Sequence, residues 1–385
     1  MKVAFVIDDA LDKPDGVQAY VRSLASYLGS AGHEVHVLCS GDAGEPPAGV
    51  TAVHSLTRNV SVRFNGNSLR TPLPASRTRI RQLLEAQRFD VIHVMSPHSP
   101  LFASRVVDEA RALQARTVRI VGSFVILPDG RGSDLGTKAL GRALRRNVRR
   151  FDAFTGLSGP ATEFASAAYR VNCVTSPAPI DVKAMRNQAL AKPWPAGREG
   201  SVVVAFLGRL VDRKGVLELV EALAAIPYAL RDTIEVRIGG RGPLLGHVQA
   251  ALESHGLANV VSLCGFVSDE DKAGFLAAAD IAVFPATGGE SFGIVLIEAM
   301  AAGAGAVLAG DNPGYAWTIG DREAVIDATD TAAFASRLAT LIADPGERAR
   351  LHHRQQERVA DFDLTRVGEQ IKAVYGWREA PASLA

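Results

Sequence analysis

The stretch FPATGGESFGIVLIEAM, residues 284–300, decides how this chain folds and contains two carboxylates eight positions apart, Glu290 and Glu298. A strand-like run, Ile281–Phe284, and two glycines precede the first carboxylate. The second lies in an apolar stretch with helical periodicity that begins at Ile294. The pattern therefore predicts a strand, a turn that carries Glu290, and a helix that carries Glu298 about two turns further along.

The turn before this helix is suited to an anion. The first backbone N–H groups of a helix have no intrahelical partner, and the helix dipole favours negative charge there. The amides of Ser291, Phe292 and Gly293 are expected to be free in this way. One carboxylate for sugar hydroxyls, free amides for a diphosphate and one carboxylate for ribose would fit a sugar nucleotide. The alternative is a solvated loop glutamate and a helix glutamate in a salt bridge, because two glutamates at this spacing are common.

Length and composition indicate a globular protein of two or three domains, with 385 residues, 47% hydrophobic and 22% charged. Cys39, Cys173 and Cys264 are far apart and are predicted to be buried thiols of a reducing compartment. The N-terminus has the pattern of a core strand rather than a signal peptide, and no apolar run approaches the length of a membrane span. These features predict a cytoplasmic protein, which could still contact the inner face of a membrane.

The net charge of +1 conceals an asymmetry between the two halves. Residues 1–200 contain 26 Lys and Arg against 17 Asp and Glu, and residues 201–385 contain 16 against 24. This asymmetry suggests that the N-terminal half meets something anionic. An uneven solubilising surface explains it equally well.

Short apolar strands alternate with helical stretches along the whole chain, which predicts parallel sheets covered by helices on both faces. The predicted strands of the first half are Val3–Ile7, Glu34–Cys39, Asp90–Met95, Thr117–Phe124 and Ala153–Leu157, and those of the second are Val202–Leu207, Glu235–Ile238, Val260–Leu263, Ile281–Phe284 and Ala306–Leu308. A Pro- and Ala-rich stretch at about 178–200 separates the two series. We predict two doubly wound, Rossmann-like domains, 1–182 and 183–361, that face each other across a ligand-binding cleft. A C-terminal helix at about 362–378 is expected to pack back on the first domain.

Two loops that follow strands carry candidate ligand-binding residues. Gly16 and Gln18 open the first long helix, although a glycine before a helix is usually an ordinary turn residue. Arg209 and Lys214 follow the first strand of the second domain and could offset the charge of a leaving diphosphate. Arg213, between them, is interpreted as a bystander. The alternative is a solvated basic loop. No cluster of residues has metal-ligand spacing, so no metal is predicted.

Taken together, these motifs resemble the retaining glycosyltransferases of the GT-B fold in family 4, and most of all the phosphatidylinositol mannosyltransferases of actinobacteria. The resemblance extends over nearly the whole chain and is dense in FLGRLVDRKG, SLCGFVSDEDK and FPATGGESFGIVLIEAMAAG. In the N-terminal half it rests on DGVQ, GHEVHVL, FNG and FDVIHVMSP.

The resemblance implies a role for each matching position. As catalytic residues it implies Arg209 and Lys214 on the donor diphosphate and Glu290 on the transferred sugar. The donor-binding residues that it implies are Gly16, Gln18, Val267, Asp271, Lys272, Phe292, Gly293, Ile294 and Glu298, with Val267 at the base and Glu298 at the ribose. On the acceptor side it implies Arg70.

The acceptor side also departs from the family. Where the family usually has a histidine after a strand, Gly122-Ser123-Phe124 is followed here by Val125. The nearest histidine in sequence is His98, at a position that is predicted to face the acceptor. The donor residues are thus present while the acceptor residues differ, which puts phosphatidylinositol in doubt as the acceptor.

The resemblance implies a hexosyltransferase that uses a GDP- or UDP-linked sugar, with mannose the first hypothesis, and needs no cofactor. The alternatives are a catalytically impaired nucleotide-sugar-binding protein and a nucleotide-sugar phosphorylase or epimerase on the same fold. The acceptor is expected to be a small molecule or an anionic lipid. Nucleic acid is disfavoured because the basic residues lack interleaved aromatic residues. The oligomeric state stays open.

Peripheral contact with a membrane is a further hypothesis, and it rests on two sets of basic residues. These are Arg142, Arg145, Arg146, Arg149 and Arg150 in one set and Arg70, Arg77, Arg79 and Arg81 in the other. On a helix, such spacings can place the cations on one face. A solvated helix face whose cations pair with nearby acids is the alternative.

Overall fold

A computed structural model describes residues 1–11, 16–64, 67–113, 118–127 and 147–376. Its strands are β1 Lys2–Val6, β2 Glu34–Ser40, β3 Ala52–Thr57, β4 Asn59–Phe64, β5 Asn67–Pro72, β6 Val91–Met95, β7 Arg119–Phe124, β8 Ala153–Gly156, β9 Cys173–Thr175, β10 Val202–Leu207, β11 Ile234–Gly239, β12 Val261–Gly265, β13 Ile281–Phe284, β14 Ala306–Gly310 and β15 Val325–Ile326.

The helices of the described residues are α1 Gly16–Ser30, α2 Arg77–Gln87, α3 Phe102–Ala112, α4 Gly159–Tyr169, α5 Val182–Ala191, α6 Val216–Ala225, α7 Tyr228–Arg231, α8 Leu245–Ser254, α9 Asp269–Ala277, α10 Ile294–Ala302, α11 Pro313–Ile319, α12 Thr331–Ala343, α13 Pro345–Val359 and α14 Leu364–Val374.

The chain divides into two compact units. The first comprises Met1–Pro179 together with the chain from Leu364 onward, and the second comprises Ile180–Asp363. The Pro- and Ala-rich stretch near residue 180, predicted as a separator, contains a helix of the second unit, α5. That helix forms because the side chain of Asp181 accepts a hydrogen bond from the backbone N–H of Ala184 and so caps its first turn.

The first unit is built on a parallel sheet with the strand order β3-β2-β1-β6-β7-β8-β9, and β4 and β5 form a separate antiparallel hairpin. The second unit is built on a parallel sheet with the order β12-β11-β10-β13-β14-β15. In each sheet the order reverses beside the first strand, β1 or β10, as in doubly wound folds. The strands predicted from the sequence are all present, whereas β3, the hairpin, β9 and β15 were not predicted.

Helices cover the sheets through apolar faces with helical spacing. In α1 the buried side chains of Tyr20, Val21, Leu24 and Leu28 recur every three or four residues. The strands that they cover are apolar throughout, as in β1, where Val3 to Val6 are fully buried. Such continuous apolar strands are typical of sheets buried on both faces.

The C-terminal helix α14 packs against α1 of the first unit. Beyond its end, the hydroxyl of Tyr375 lies 2.7 Å from Nδ1 of His93, which is in the middle of the sheet on β6. The other ring nitrogen of His93 lies 2.6 Å from Oγ of Ser123. Burial lowers the pKa of His93 to about 3, so this histidine is neutral and serves as a hydrogen-bonding centre of the core.

Several of the basic residues in the two sets are engaged in ion pairs. Arg77 and Arg81, on α2, hold the carboxylate of Glu109 at 3.0 and 2.7 Å, and Glu109 is only 1% exposed. Arg150 pairs with Asp108, and Arg79 is exposed. Arg142, Arg145 and Arg146 lie outside the described residues. Half of the described members, Arg77, Arg81 and Arg150, thus pair with acids of α3, and contact with a membrane stays a prediction.

The three cysteines are free thiols, and only Cys39 is fully buried, whereas Cys173 and Cys264 are half-buried. The prediction of buried thiols is therefore wrong for two of the three. Within the described residues, no helix combines the length and the apolar character that crossing a bilayer would require.

Replacing Glu109 by Gln should lower the free energy of unfolding by about 1–3 kcal/mol at pH 7, because Arg77 and Arg81 lose the charge that they bind. Hydrogen bonds from Arg81, with Arg77 adding to them, lower the pKa of Glu109. The stabilisation is thus present above the ordinary pKa of glutamate and disappears as the pH falls through the lowered value.

Urea unfolding between pH 3 and 7 measures this difference. Glu85, an exposed residue of α2, provides the control variant Glu85→Gln, which should unfold like the wild type. A loss for Glu109→Gln that stays constant over this pH range would show that the carboxylate charge is not the cause.

Candidate functional site

The catalytic candidates of the second unit lie at the carboxyl edge of its sheet, where the strand order reverses. The sheet continues from β10 to β11 in one direction and from β10 to β13 in the other. The chain therefore continues from these two strands towards opposite edges of the sheet, and this switch point at the carboxyl edge is where doubly wound sheets bind ligands. Arg209 and Lys214 lie in the first loop and Glu290 in the second.

The structure brings Lys214 and Glu290 into direct contact. The ammonium Nζ of Lys214 lies 2.7 Å from Oε1 of Glu290. Nη1 of Arg213 contacts the same carboxylate oxygen, so the residue that the sequence analysis took for a bystander is a partner of Glu290. Arg209 is exposed and takes part in none of the ion pairs found among the described residues.

Burial lowers the pKa of Lys214, and the neighbouring cations Arg213 and Arg209 lower it further, while the carboxylate of Glu290 opposes them. The side chain of Glu290 is only 13% exposed. Positive charge is therefore concentrated around one carboxylate at this edge of the sheet. An anion that binds here would meet three cations, Arg209, Arg213 and Lys214, of which Arg213 and Lys214 contact Glu290.

The two loops fit together through backbone contacts. The backbone N–H of Thr287 donates to the carbonyl of Arg213 at 3.0 Å. Gly215, directly after Lys214, has a φ of +72°, and a Cβ added there would lie 2.0 Å from the carbonyl oxygen of Pro285. Only glycine fits both the conformation and the space. This close approach fixes the position of Lys214 relative to the loop that carries Glu290.

Helix α10 begins at Ile294 with no side-chain cap, and its N-cap residue Gly293 has a φ of 101°. Phe292 is only 2% exposed and packs against the rings of Trp317 and Phe362. Its carbonyl accepts a hydrogen bond from Oγ1 of Thr318 at 2.5 Å. The side chain of Phe292 is thus part of the core, which leaves backbone groups as what this segment can offer a ligand.

The second carboxylate, Glu298, is paired as well. Nζ of Lys272 lies 2.8 Å from Oε1 of Glu298 and 3.0 Å from Asp269. Burial would lower the pKa of Lys272, but Glu298 and Asp269 outweigh that effect and raise it. Lys272 and Glu298, predicted separately, are therefore neighbours.

Two other candidates for donor binding are Asp271, which contacts a different partner, and Val267, which is buried. Asp271 pairs with Lys192 at 2.6 Å, and this hydrogen bond, with one from Ser268, lowers the pKa of Asp271. It therefore stabilises the contact between α9 and the end of α5 and does not join Glu298. Val267 is 9% exposed and follows Phe266, which is 58% exposed.

The candidates of the first unit are spread over several elements of its sheet. Gly16 begins α1, and Gln18 is 4% exposed and donates to the carbonyl of Ala10 at 3.2 Å. Val125 follows β7 and is 7% exposed. The ring of His98 stacks on those of Phe124 and Tyr169, and burial lowers its pKa. Gln18 and His98 thus have structural contacts in the core.

Arg70 lies on the hairpin strand β5 and pairs with Asp9, just after β1, at 3.5 Å. It also lines an open cavity of about 500 Å³. The other residues of this lining are Gly41, Asp42, Ser55, Arg58 and Asn59. The cavity is therefore polar and contains charges of both signs.

Sequence reasoning missed Tyr315, whose buried hydroxyl lies 3.4 Å from Nζ of Lys214. It stands in α11 after Asn312-Pro313, an ordinary helix start, and no sequence signal links it to Lys214. Among the described residues, no three His, Cys, Asp or Glu side chains lie close enough together to hold a metal ion.

Two family models match the chain. The model described as Glycosyltransferase Family 4 matches residues 14–183. The model described as Glycosyl transferases group 1 matches residues 191–358.

Curated relatives match over nearly the whole chain. The phosphatidyl-myo-inositol mannosyltransferase of Mycolicibacterium smegmatis is 31% identical over 97% of this chain and 93% of its own length. That of Mycobacterium leprae is 30% identical over 97% of this chain and 96% of its own length.

Solved structures match with lower sequence identity. HepE of Anabaena, in complex with UDP, superposes with a TM-score of 0.74 at 17% identity over 98% of this chain and 100% of that chain. Sucrose-phosphate synthase of Thermosynechococcus elongatus gives 0.68 at 19% identity over 97% of this chain and 98% of that chain. These likenesses, with the two parallel sheets, confirm the predicted GT-B fold.

Replacing Gly215 by Ala should destabilise the second unit far more than the same change at Gly200. Both glycines have a left-handed φ, +72° and +76°, but a Cβ at Gly200 meets nothing within 4 Å. Gly200→Ala should cost about 1–2 kcal/mol from backbone strain alone. Gly215→Ala should cost at least about 2 kcal/mol more, because the loop must move away from Pro285. Urea unfolding of both variants measures the difference, and equal losses would mean that the close approach is not a constraint.

Proposed function

The chain belongs to glycosyltransferase family 4 and is a hexosyltransferase, and from this premise we propose that it transfers a hexose from a nucleoside diphosphate sugar to an acceptor hydroxyl with retention of configuration. The observation that carries the proposal is the contact between Lys214 and Glu290 at the carboxyl edge of the second sheet. It places a cation suited to a diphosphate beside a carboxylate suited to sugar hydroxyls.

In the proposed reaction the acceptor oxygen attacks the anomeric carbon from the face on which the diphosphate departs. The bond from that carbon to the phosphate oxygen breaks, and the departing oxygen takes the proton of the acceptor. Arg209 and Lys214 offset the negative charge that develops on the diphosphate, and the N-terminus of α10, near Phe292 to Ile294, adds its dipole. Glu290 orients the sugar through its hydroxyl groups.

The roles proposed for the remaining donor-binding residues follow from their positions in the second unit. Glu298, on the helix that Glu290 precedes, is proposed to bind the ribose hydroxyls, with Lys272 as its partner in the absence of ligand. Val267, in the connection between β12 and α9, would lie against the base. Mannose is the first sugar to test because the named relatives are mannosyltransferases. GDP and UDP are both to be tested as the nucleotide.

We propose a small hydroxylated molecule as the acceptor, in preference to a lipid. The relatives are named for phosphatidyl-myo-inositol, but Val125 stands here where the family usually has histidine. Ile126, next to it, is 56% exposed and apolar. The pairing of Arg77, Arg81 and Arg150 with acids also leaves fewer free cations for an anionic membrane than the sequence suggested.

The test of the proposed donor is a thermal-shift panel of GDP-mannose, UDP-glucose and the free nucleoside diphosphates. A ligand at 100 times its Kd stabilises the folded protein by about 2.7 kcal/mol, so the true donor should raise Tm by several degrees. Arg209→Ala and Lys214→Ala should each weaken that shift and lower the transfer rate by roughly 10²-fold. Lys183→Ala, at an exposed position of α5, is the matched control. Normal kinetics in both site variants would place this loop outside the active site.

Replacing Glu290 by Gln should abolish transfer with only a modest loss of nucleoside diphosphate binding, because the carboxylate is assigned to the sugar. Transfer is measured as acceptor-dependent release of nucleoside diphosphate, and binding by calorimetry. Glu253→Gln, on the exposed face of α8, is the control. A Glu290→Gln variant with more than about a tenth of the wild-type rate, less than ~1.4 kcal/mol lost, would contradict the assignment.

A further inference from the structure

Tyr315 lies on α11, behind the loop that carries Glu290. Its side chain is 1% exposed. Its hydroxyl oxygen lies 3.4 Å from Nζ of Lys214, and Nζ lies 5.9 Å from the centroid of the ring. Within the described part of the chain, this contact is the one hydrogen bond of the hydroxyl. A buried tyrosine hydroxyl normally finds a polar partner, and here the partner is the catalytic candidate itself.

The ring of Tyr315 is held rigidly in this position. Oδ1 of Asn312 accepts from the backbone N–H of Tyr315 at 3.0 Å, and the side-chain amide of Asn312 donates to the carbonyl of Ala286 at 3.0 Å. A Cβ at Gly293 would lie 2.6 Å from the ring carbons of Tyr315, and one at Gly314 would lie 2.1 Å from the carbonyl oxygen of Glu290. The hydroxyl therefore cannot follow Lys214 if that side chain moves.

The hydroxyl stays neutral under conditions in which a lysine titrates. Burial raises the pKa of Tyr315 well above its ordinary value, the carboxylates of Glu290 and Glu298 raise it further, and Arg213 opposes them. The phenol is thus a fixed, uncharged acceptor for the ammonium of Lys214. It would not compete with a diphosphate for that cation as a carboxylate would.

Lys214 therefore has two protein partners, Glu290 and Tyr315. In the proposed function Glu290 binds the hydroxyl groups of the sugar, so its contact with Lys214 is weakened when the donor binds. The contact between Lys214 and Tyr315 does not have to be given up, because the ring of Tyr315 cannot move.

We propose that Tyr315 is a positioning residue, whose hydroxyl accepts from the Lys214 ammonium and keeps it directed at the donor diphosphate while Glu290 binds the sugar. This inference rests on the proposed function. It adds a residue that acts through Lys214 and does not itself touch the donor.

The test compares Tyr315→Phe, which keeps the ring and removes the hydroxyl, with Tyr228→Phe, the same change at a side chain that is 75% exposed. The first readout is the titration of Lys214, followed by NMR of lysine side chains labelled with ¹³C and assigned with the variant Lys214→Arg. The second is the Kd of GDP and of UDP between pH 6.5 and 9.5. Neither readout requires the acceptor.

In Tyr315→Phe the ammonium loses an acceptor, so Lys214 should titrate at lower pH than in the wild type. Nucleoside diphosphate binding should then weaken more as the pH rises, and at pH 9 it should be about three- to tenfold weaker than in the wild type. Tyr228→Phe should match the wild type in both readouts.

An unchanged titration of Lys214 in Tyr315→Phe, with wild-type binding at every pH, would overturn the inference and leave the proposed function intact. A loss of affinity that is the same at every pH, with an unchanged titration, would show a packing role and would also overturn it. If the wild-type protein binds neither GDP nor UDP, the proposed function fails, and the role given to Tyr315 fails with it.

Discussion

The contact between Lys214 and Glu290 is the interaction on which the proposed donor site depends, because it joins the loops that follow β10 and β13. Attraction between opposite charges is strong here, since both side chains are largely buried. Besides the side chains of Arg213 and Tyr315, close approaches of the backbone support this pair. Gly215 lies against the carbonyl of Pro285, and Gly314 lies against that of Glu290. These close approaches hold the two loops against each other.

The two carboxylate–lysine pairs of the second unit differ in their surroundings, and the difference matches what each end is proposed to bind. Burial lowers the pKa of Lys214 and two nearby arginines lower it further, whereas Glu298 and Asp269 raise the pKa of Lys272 against the effect of burial. The group around Lys214 therefore carries excess positive charge, which suits a diphosphate. The group around Lys272 has one cation and two carboxylates, and carboxylate oxygens can accept hydrogen bonds from the hydroxyl groups of a ribose.

The sequence predicted both sheets because their central strands are continuous apolar runs, and it predicted the loops of the candidate site because the motifs are local. It did not predict β3, whose residues are mostly half-buried and lack a clear period, or β15, which has two residues. It also could not show that Arg77 and Arg81 bind Glu109. That partner lies about 30 positions away, and its pairing depends on how α2 packs against α3. Tyr315 was missed for the same reason.

The first unit is discontinuous in sequence, since α14 completes it only after the whole second unit has been passed. On a ribosome, residues 1–179 therefore emerge long before the helix that covers α1 and the tyrosine that binds His93. Until then Tyr27 of α1 lacks its contact with Glu369 of α14, and the sheet contains a buried histidine without one of its two partners. The first unit can become fully native only after α14 has been synthesised. A chain cut after Asp363 would keep the second unit complete and leave the first unit without α14.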